Sequence, residues 1–167
     1  MRELCTKKPG RQKKEPSTIR VGGKLASLMS TGFAIEKYAD HGIPVVTTFI
    51  NGYQIRKNLI NLGAAINVMA METLSHIGSF DLLHTPTMLE FADRSKVKPE
   101  GVLEDIVISL DSWEYPTDFY VLQPKTNLGG HPLILGRPWL ATVDAYIGCR
   151  TRNMTIAHGL ETKYINL

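Results

Sequence analysis

The sequence predicts a mostly β, single-lobe domain with two or three short helices, closed as a Greek-key-like or barrel-like lobe. Three observations lead there. Segments rich in β-branched and aromatic residues, such as Val45 to Ile50, Val102 to Leu110 and Phe119 to Leu122, alternate with Asn-Gly, Asp-Arg-Ser and Asp-Ser turn signals. Stretches with helical spacing are few and short. A length of 167 residues accommodates one lobe with a tail, and no internal repeat marks a second.

The elements follow in order. Residues 1–23 carry Pro9, Gly10 and Pro16 without periodicity and read as a disordered basic arm. Over residues 24–42, Leu25, Leu28, Met29, Phe33 and Tyr38 recur at roughly helical spacing, which predicts a short helical linker. The main domain is expected over 43–158. It opens with a hairpin: Val45 to Ile50, a turn at Asn51-Gly52 that tolerates positive φ, then Tyr53 to Ile60. Asn67 is expected to cap a helix over Val68, Met69, Met71, Leu74 and Ile77, stopped by Gly78. Strands follow at Met88 to Phe91, Val102 to Leu110 and Phe119 to Leu122, with Pro116 at a strand start or edge. Pro138 suits the first turn of a helix through Trp139, Leu140 and Val143. Ala145 to Cys149 and Met154 to Ala157 read as a closing hairpin, and 159–167 as a C-terminal tail.

Charge is uneven. Residues 1–24 hold eight Lys or Arg against Glu3 and Glu15, a net of +6, which leaves −3 on the rest of a chain whose total is +3. Such an arm could make weak RNA or DNA contacts through phosphate attraction. It lacks interleaved aromatics for base stacking and any Cys-x-x-Cys knuckle, so a solvated linker is the favoured reading. Cys5 and Cys149 lie too far apart in sequence to define a disulfide framework or zinc spacing. No apolar run reaches membrane-spanning length and no signal core opens the chain, so the expectation is a cytoplasmic protein without membrane attachment.

The chemistry-bearing segment is Leu59-Ile60-Asn61-Leu62-Gly63-Ala64-Ala65-Ile66-Asn67, an apolar strand end running into a Gly-Ala turn headed by Asn61. A second segment, Leu133-Ile134-Leu135-Gly136-Arg137-Pro138-Trp139-Leu140, follows the last long strand, and Leu89-Glu90-Phe91-Ala92-Asp93-Arg94-Ser95 lies between the two. This ordered set resembles the retropepsin-like aspartic proteases, in particular the protease region of plant Ty3/gypsy-type retrotransposon polyproteins, over roughly residues 43–158. The resemblance implies a single-lobe acid protease barrel whose active site would need a homodimer. It further implies that Asn61 stands where the family has its catalytic aspartate, followed by Leu62, Gly63 and Ala64. Ala92, Asp93, Arg94 and Ser95 would form the tip of the flap. Ile134, Leu135, Gly136 and Arg137 would support the loop, with Arg137 joining an ion-pair network.

Aspartic proteases hold two carboxylates close together, where like-charge repulsion raises one pKa and the pair shares a proton. An amide has no such proton equilibrium, so Asn61 and its symmetry mate could supply neither base nor acid. Little or no peptidase activity is therefore expected. Leu62 departs too, since the family often places Thr or Ser there to tie the two loops together. The flap tip lacks the glycines the family often has. Binding requires no carboxylate, and an apolar cleft between Ala64-Ala65, the Ala92 to Val97 hairpin and Leu133-Ile134 could take an extended peptide or polyprotein segment by strand addition.

Other groups offer less. Asp93, Asp105, Asp111, Asp118 and Asp144 sit at turns or on strand faces without a glycine-turn context. The five histidines show no pair at metal spacing, so no metal or cofactor is expected. Cys149 lacks a local activating pattern. The leading reading is an inactive retropepsin-like domain. Its rivals are a peptide-binding or dimerisation module that kept the fold, an active aspartic peptidase with an unexpected acid, and a basic-armed nucleic-acid binder.

Overall fold

The computed structural model describes residues 36–78, 80–123 and 128–167. The chain divides into two compact units, Met1–Tyr38 and Ala39–Leu167, and every regular element described belongs to the second. The expected basic arm and residues 24–35 of the expected helical linker lie outside the described residues. Residues 36–42 take no regular structure.

Strands β1 (Val45–Ile50) and β2 (Tyr53–Ile60) pair antiparallel around Asn51 and Gly52, whose φ values of 50° and 78° are those of the expected tight turn. Val46, Thr48 and Ile50 alternate inward, as a half-buried strand requires. The buried Asn58 Nδ2 donates to Thr48 Oγ1 at 2.9 Å and to the Ile55 carbonyl at 2.8 Å, whereas its Oδ1 is buried without a partner among the described residues.

Beyond the loop, Val68–Ala70 is not the start of a helix but a wholly buried strand, β3. Helix α1 begins only at Met71 and runs to Ile77, with Gly78 at φ 125° ending it. Its N-cap is Ala70, without a side-chain cap bond. Asn67 is therefore not the cap that local propensity suggested, because tertiary partners claim its amide. Strands β4 (Leu89–Glu90) and β5 (Lys96–Val97) form a small hairpin of their own.

Strands β6 (Gly101–Leu110) and β7 (Trp113–Leu122) make the longest pair, interrupted by a bulge between Leu103 and Ile106 at which Asp105 takes φ 54°. Pro116 sits in mid-strand rather than at a start. It is tolerated because the other neighbour of β7, strand β3, pairs only with Tyr120 to Leu122. Next come β8 (Leu133–Leu135), helix α2 (Arg137–Thr142, with a proline in its first turn), β9 (Tyr146–Gly148), β10 (Asn153–His158) and β11 (Glu161–Asn166).

Six strands close a barrel in the order β1-β2-β8-β3-β7-β6, sealed by the pair Phe49↔Ser109. Strands β9, β10 and β11 form a second, three-stranded sheet. Residues 159–167, expected to be a tail, instead supply β11, paired with β10 along its whole length. The Lys163 ammonium is shared with Asp111 and Ser112 of the β6–β7 turn and lies 4.7 Å from the Trp113 ring centre, so the hairpin is tied to the barrel. Barrel and sheet share one core in which Met69, Phe119, Leu133, Leu135, Trp139, Met154 and Ile156 are almost wholly buried. Each such side chain contributes about 1.5–3 kcal/mol by leaving water.

Candidate functional site: the Asn61 loop and its groove

Strands β2 and β8 run parallel, pairing Leu59↔Ile134 and Ile60↔Leu135, and this pairing brings the two sequence signatures together. The loop from residue 61 begins where β2 ends. The Asn61 N–H donates to the Leu135 carbonyl at 2.9 Å, and the Ala64 N–H closes back on the Asn61 carbonyl at 3.1 Å. The side chain joins the same turn: Asn61 Oδ1 accepts from the Gly63 N–H at 2.8 Å. A carboxylate oxygen could accept that bond equally well, so the backbone at this turn suits an aspartate as readily as an asparagine. Asn61 is half-buried, whereas Leu62 beside it is 63% exposed.

The far end of the loop is held more firmly. Asn67, 3% exposed, accepts from the Gly136 N–H through Oδ1 at 2.8 Å and donates through Nδ2 to the Asp118 carbonyl at 3.1 Å. One amide thus joins the loop, the turn after β8 and strand β7. Gly136 packs so closely that a Cβ there would stand 2.2 Å from the Ile66 carbonyl oxygen and 2.9 Å from that of Ala64. Its φ of −90° suits any residue, so close approach alone demands glycine.

Arg137 was expected in an ion-pair network. Among the described residues it has no ion pair and braces the loop through carbonyls instead: its N–H donates to Ala64 O at 3.0 Å and its Nη1 to Leu62 O at 3.3 Å.

A groove of about 500 Å³ lies over the loop, with Asn61, Ala64, Ala65 and Ile134 on one side and Leu89 to Ala92 of the β4–β5 hairpin on the other. Leu89 and Phe91 pack with Ile66 and Ile134 around the buried Val68, Ala70, Leu122 and Leu128, so the hairpin is seated by apolar contact. Ala92 lines the groove, whereas Asp93, Arg94 and Ser95 form the exposed hairpin tip and do not. At that tip the Ser95 N–H and hydroxyl both donate to Asp93 Oδ1, which holds the Asp93 carboxyl below the usual carboxylate range. Arg94 takes φ 66° to make the turn, doing there what a glycine would do without strain.

None of Asp93, Asp105, Asp111, Asp118 and Asp144 lines the groove; the one carboxylate among its described lining residues is Glu90, which is exposed and pairs with Lys96 at 3.8 Å. Among the described residues no cluster of His, Cys, Asp and Glu suits a metal ion. Nor is any helix there long and apolar enough to cross a membrane. Asn67 is the residue that pattern reading misplaced. Its signal was a polar residue inside the apolar run Ala64 to Ala70, which marks a buried amide with partners distant in sequence.

No family model and no curated protein matches the sequence. The fold does match a solved structure, the retroviral protease-like domain of Ddi1 from Leishmania major, with a TM-score of 0.55 at 19% identity, covering 77% of this chain and 95% of that one. The two-signature loop, the closed six-stranded barrel and this likeness together identify the fold as that of a retropepsin-like domain.

Proposed function

We propose that this chain is a retropepsin-like domain descended from a plant Ty3/gypsy-type retrotransposon polyprotein, in which Asn61 occupies the catalytic aspartate position. In this reading it binds extended peptide without cleaving it. The carrying observation is the amide at Asn61, at the head of a hydrogen-bonded turn above which a largely apolar groove opens. A peptide bond is hydrolysed in this class when one carboxylate takes a proton from water and a second donates to the carbonyl. Asn61 can donate and accept hydrogen bonds but cannot carry that proton. General acid–base work is worth roughly 10²–10⁴ in rate. The one carboxylate among the described lining residues, Glu90, is exposed and pairs with Lys96 at 3.8 Å rather than with Asn61.

Ligand holding rests on other groups. The apolar walls from Ile134, Ile66 and the β4–β5 hairpin suit alternate side chains of an extended segment, and the short hairpin strands leave backbone edges for strand addition. Two copies brought together at Leu62 and Asn61 would complete the groove, and replacing Asp by Asn removes charge repulsion from that contact. A cytoplasmic setting accords with this role.

The test is a cleavage assay on a library of extended peptides, run with the chain as it stands and with Asn61→Asp, each with and without an aspartic-protease inhibitor. The expected outcome is peptide binding by both and inhibitor-sensitive cleavage by the variant alone. Cleavage by the unaltered chain overturns the reading. Absence of binding by either protein removes the peptide-holding role.

A further inference from the structure

We infer that the outer face of the three-stranded sheet is a stacking platform for single-stranded nucleic acid. The register decides which side chains stand there. Met154 lies between Ile147 and Ile165, and that row packs into the shared core, as does Ile156. The adjacent row of Tyr146, Thr155 and Tyr164 therefore points the other way, into solvent. Its two tyrosines are 67% and 75% exposed. None of the three lines the groove above Asn61, so the inference does not depend on the peptide-holding role.

Spacing, surroundings and charge name the occupant. Neighbouring strands lie about 4.8 Å apart, so the two tyrosine Cα atoms stand about 10 Å from each other with only the short Thr155 between them. Each ring can then take a base of one extended strand, and stacking suits any sequence because every base has a π-face. Asn153, Thr162 and Asn166 share this face through the same register, and they offer amides and a hydroxyl to base edges and sugars.

Charge separates the sheet from the rest of the domain. Residues 146–167 hold Arg150, Arg152 and Lys163 against Glu161, a net of +2, whereas residues 25–145 hold eight Lys or Arg against thirteen Asp or Glu, a net of −5. Lys163 is held by Asp111, so the excess rests on Arg150 and Arg152 in the exposed turn between β9 and β10. Phosphates of a strand crossing the two rings meet those arginines at the end of the sheet. Glu161 and Lys163 alternate to the inner side with Ile165, and Asp144 lies outside the strands, in the turn before β9. A second copy of the chain fits this face less well. The long aliphatic side chains of its strands turn to the barrel, which leaves no apolar centre for a stable dimer, and two copies face to face would oppose like charge.

The experiment is fluorescence anisotropy of the whole chain with labelled oligouridine and oligothymidine, at about 50 and about 200 mM salt. The expected result is saturable binding with a Kd on the order of 10 µM at the lower salt. Whichever oligomer binds the tighter supports the platform and tells RNA from DNA. An abasic strand of the same length should bind at least about ten-fold more weakly, because it has phosphates but nothing to stack. Tyr146→Ala with Tyr164→Ala should also lose at least about ten-fold, while Tyr146→Phe with Tyr164→Phe keeps both ring faces and stays within about two-fold. Both positions are exposed, and Tyr146→Leu with Tyr164→Leu repeats the loss if the alanine pair is unstable. Arg150→Gln with Arg152→Asn should lower the salt slope by about one per arginine, and asparagine tolerates the φ of 52° at position 152. Equal binding of the abasic strand overturns the inference. So does undiminished binding by the folded alanine or leucine pair, which would assign the affinity to the basic residues 1–24. A dimer that the alanine pair dissolves, with no oligomer bound, overturns it in favour of a second copy.

Discussion

Asn61 and Asn67 stand at the two ends of one loop and are chemically the same residue, yet their surroundings differ in kind. Asn61 is half-buried and its side-chain oxygen reaches only two residues along, to Gly63. Asn67 is buried and holds Gly136 and Asp118, which lie 69 and 51 residues away in sequence. One end of the loop is scaffold, whereas the other is a place where a side chain can change without disturbing what surrounds it. The contrast separates shape from surface chemistry: the groups that anchor the loop are not the group at its head.

Substitutions can break this contrast, beginning at the anchored end. Gly136→Ala forces a methyl against the Ile66 and Ala64 carbonyl oxygens and should cost about 3 kcal/mol or more, read as a fall in the urea midpoint at constant m. Asn67→Ala leaves a buried N–H and a carbonyl without partners and should cost about 3 kcal/mol by the same measurement. Asn61→Ala removes one partly solvated bond and should cost about 1 kcal/mol or less. An Asn61→Ala loss as large as that of Asn67→Ala would erase the distinction between the two ends.

The smallest effect is a control on pH. Neither asparagine titrates, so the difference between their two losses should be the same at every pH where the chain folds. The surface pair behaves otherwise. The hydrogen bond and charge of Lys163 hold the Asp111 carboxyl below its usual range. Its stabilisation is therefore complete above the ordinary aspartate pKa of about 4 and is lost as pH falls through the lowered value. Thermal unfolding from pH 5 downward should show a slight decline that Asp111→Asn flattens, with the gap between Asn61→Ala and Asn67→Ala unchanged.

Much of the architecture is legible along the chain because local rules decide it. Asn51-Gly52 fixes the first hairpin, Gly78 ends α1, and Pro138 opens α2, each by its own backbone preference. The flap-like hairpin and the loop emerged from paired signatures rather than from periodicity. What stayed hidden depends on partners distant in sequence. Val68 to Ala70 looks helical locally but is drawn into the barrel between β7 and β8. Strand β11 carries exposed Glu161, Thr162, Tyr164 and Asn166, so its alternation resembles a solvated tail until β10 is beside it. The apolar run around Asn67 marks a buried amide, but which partners it holds was hidden for the same reason, since both come from elsewhere in the fold.

The parallel pairing of β2 with β8 also sets a schedule. Leu62 and the arginine that braces it are 75 residues apart, so the loop cannot be finished until the chain has passed residue 137. Closing so long a span is entropically costly before any contact repays it. At ribosomal speeds of about 5–20 residues per second, the segment carrying Asn61 waits about 4–15 s after synthesis for its second half. During that interval Leu59 and Ile60 present an unpaired apolar edge, and a chaperone or a neighbouring nascent chain has its opportunity there.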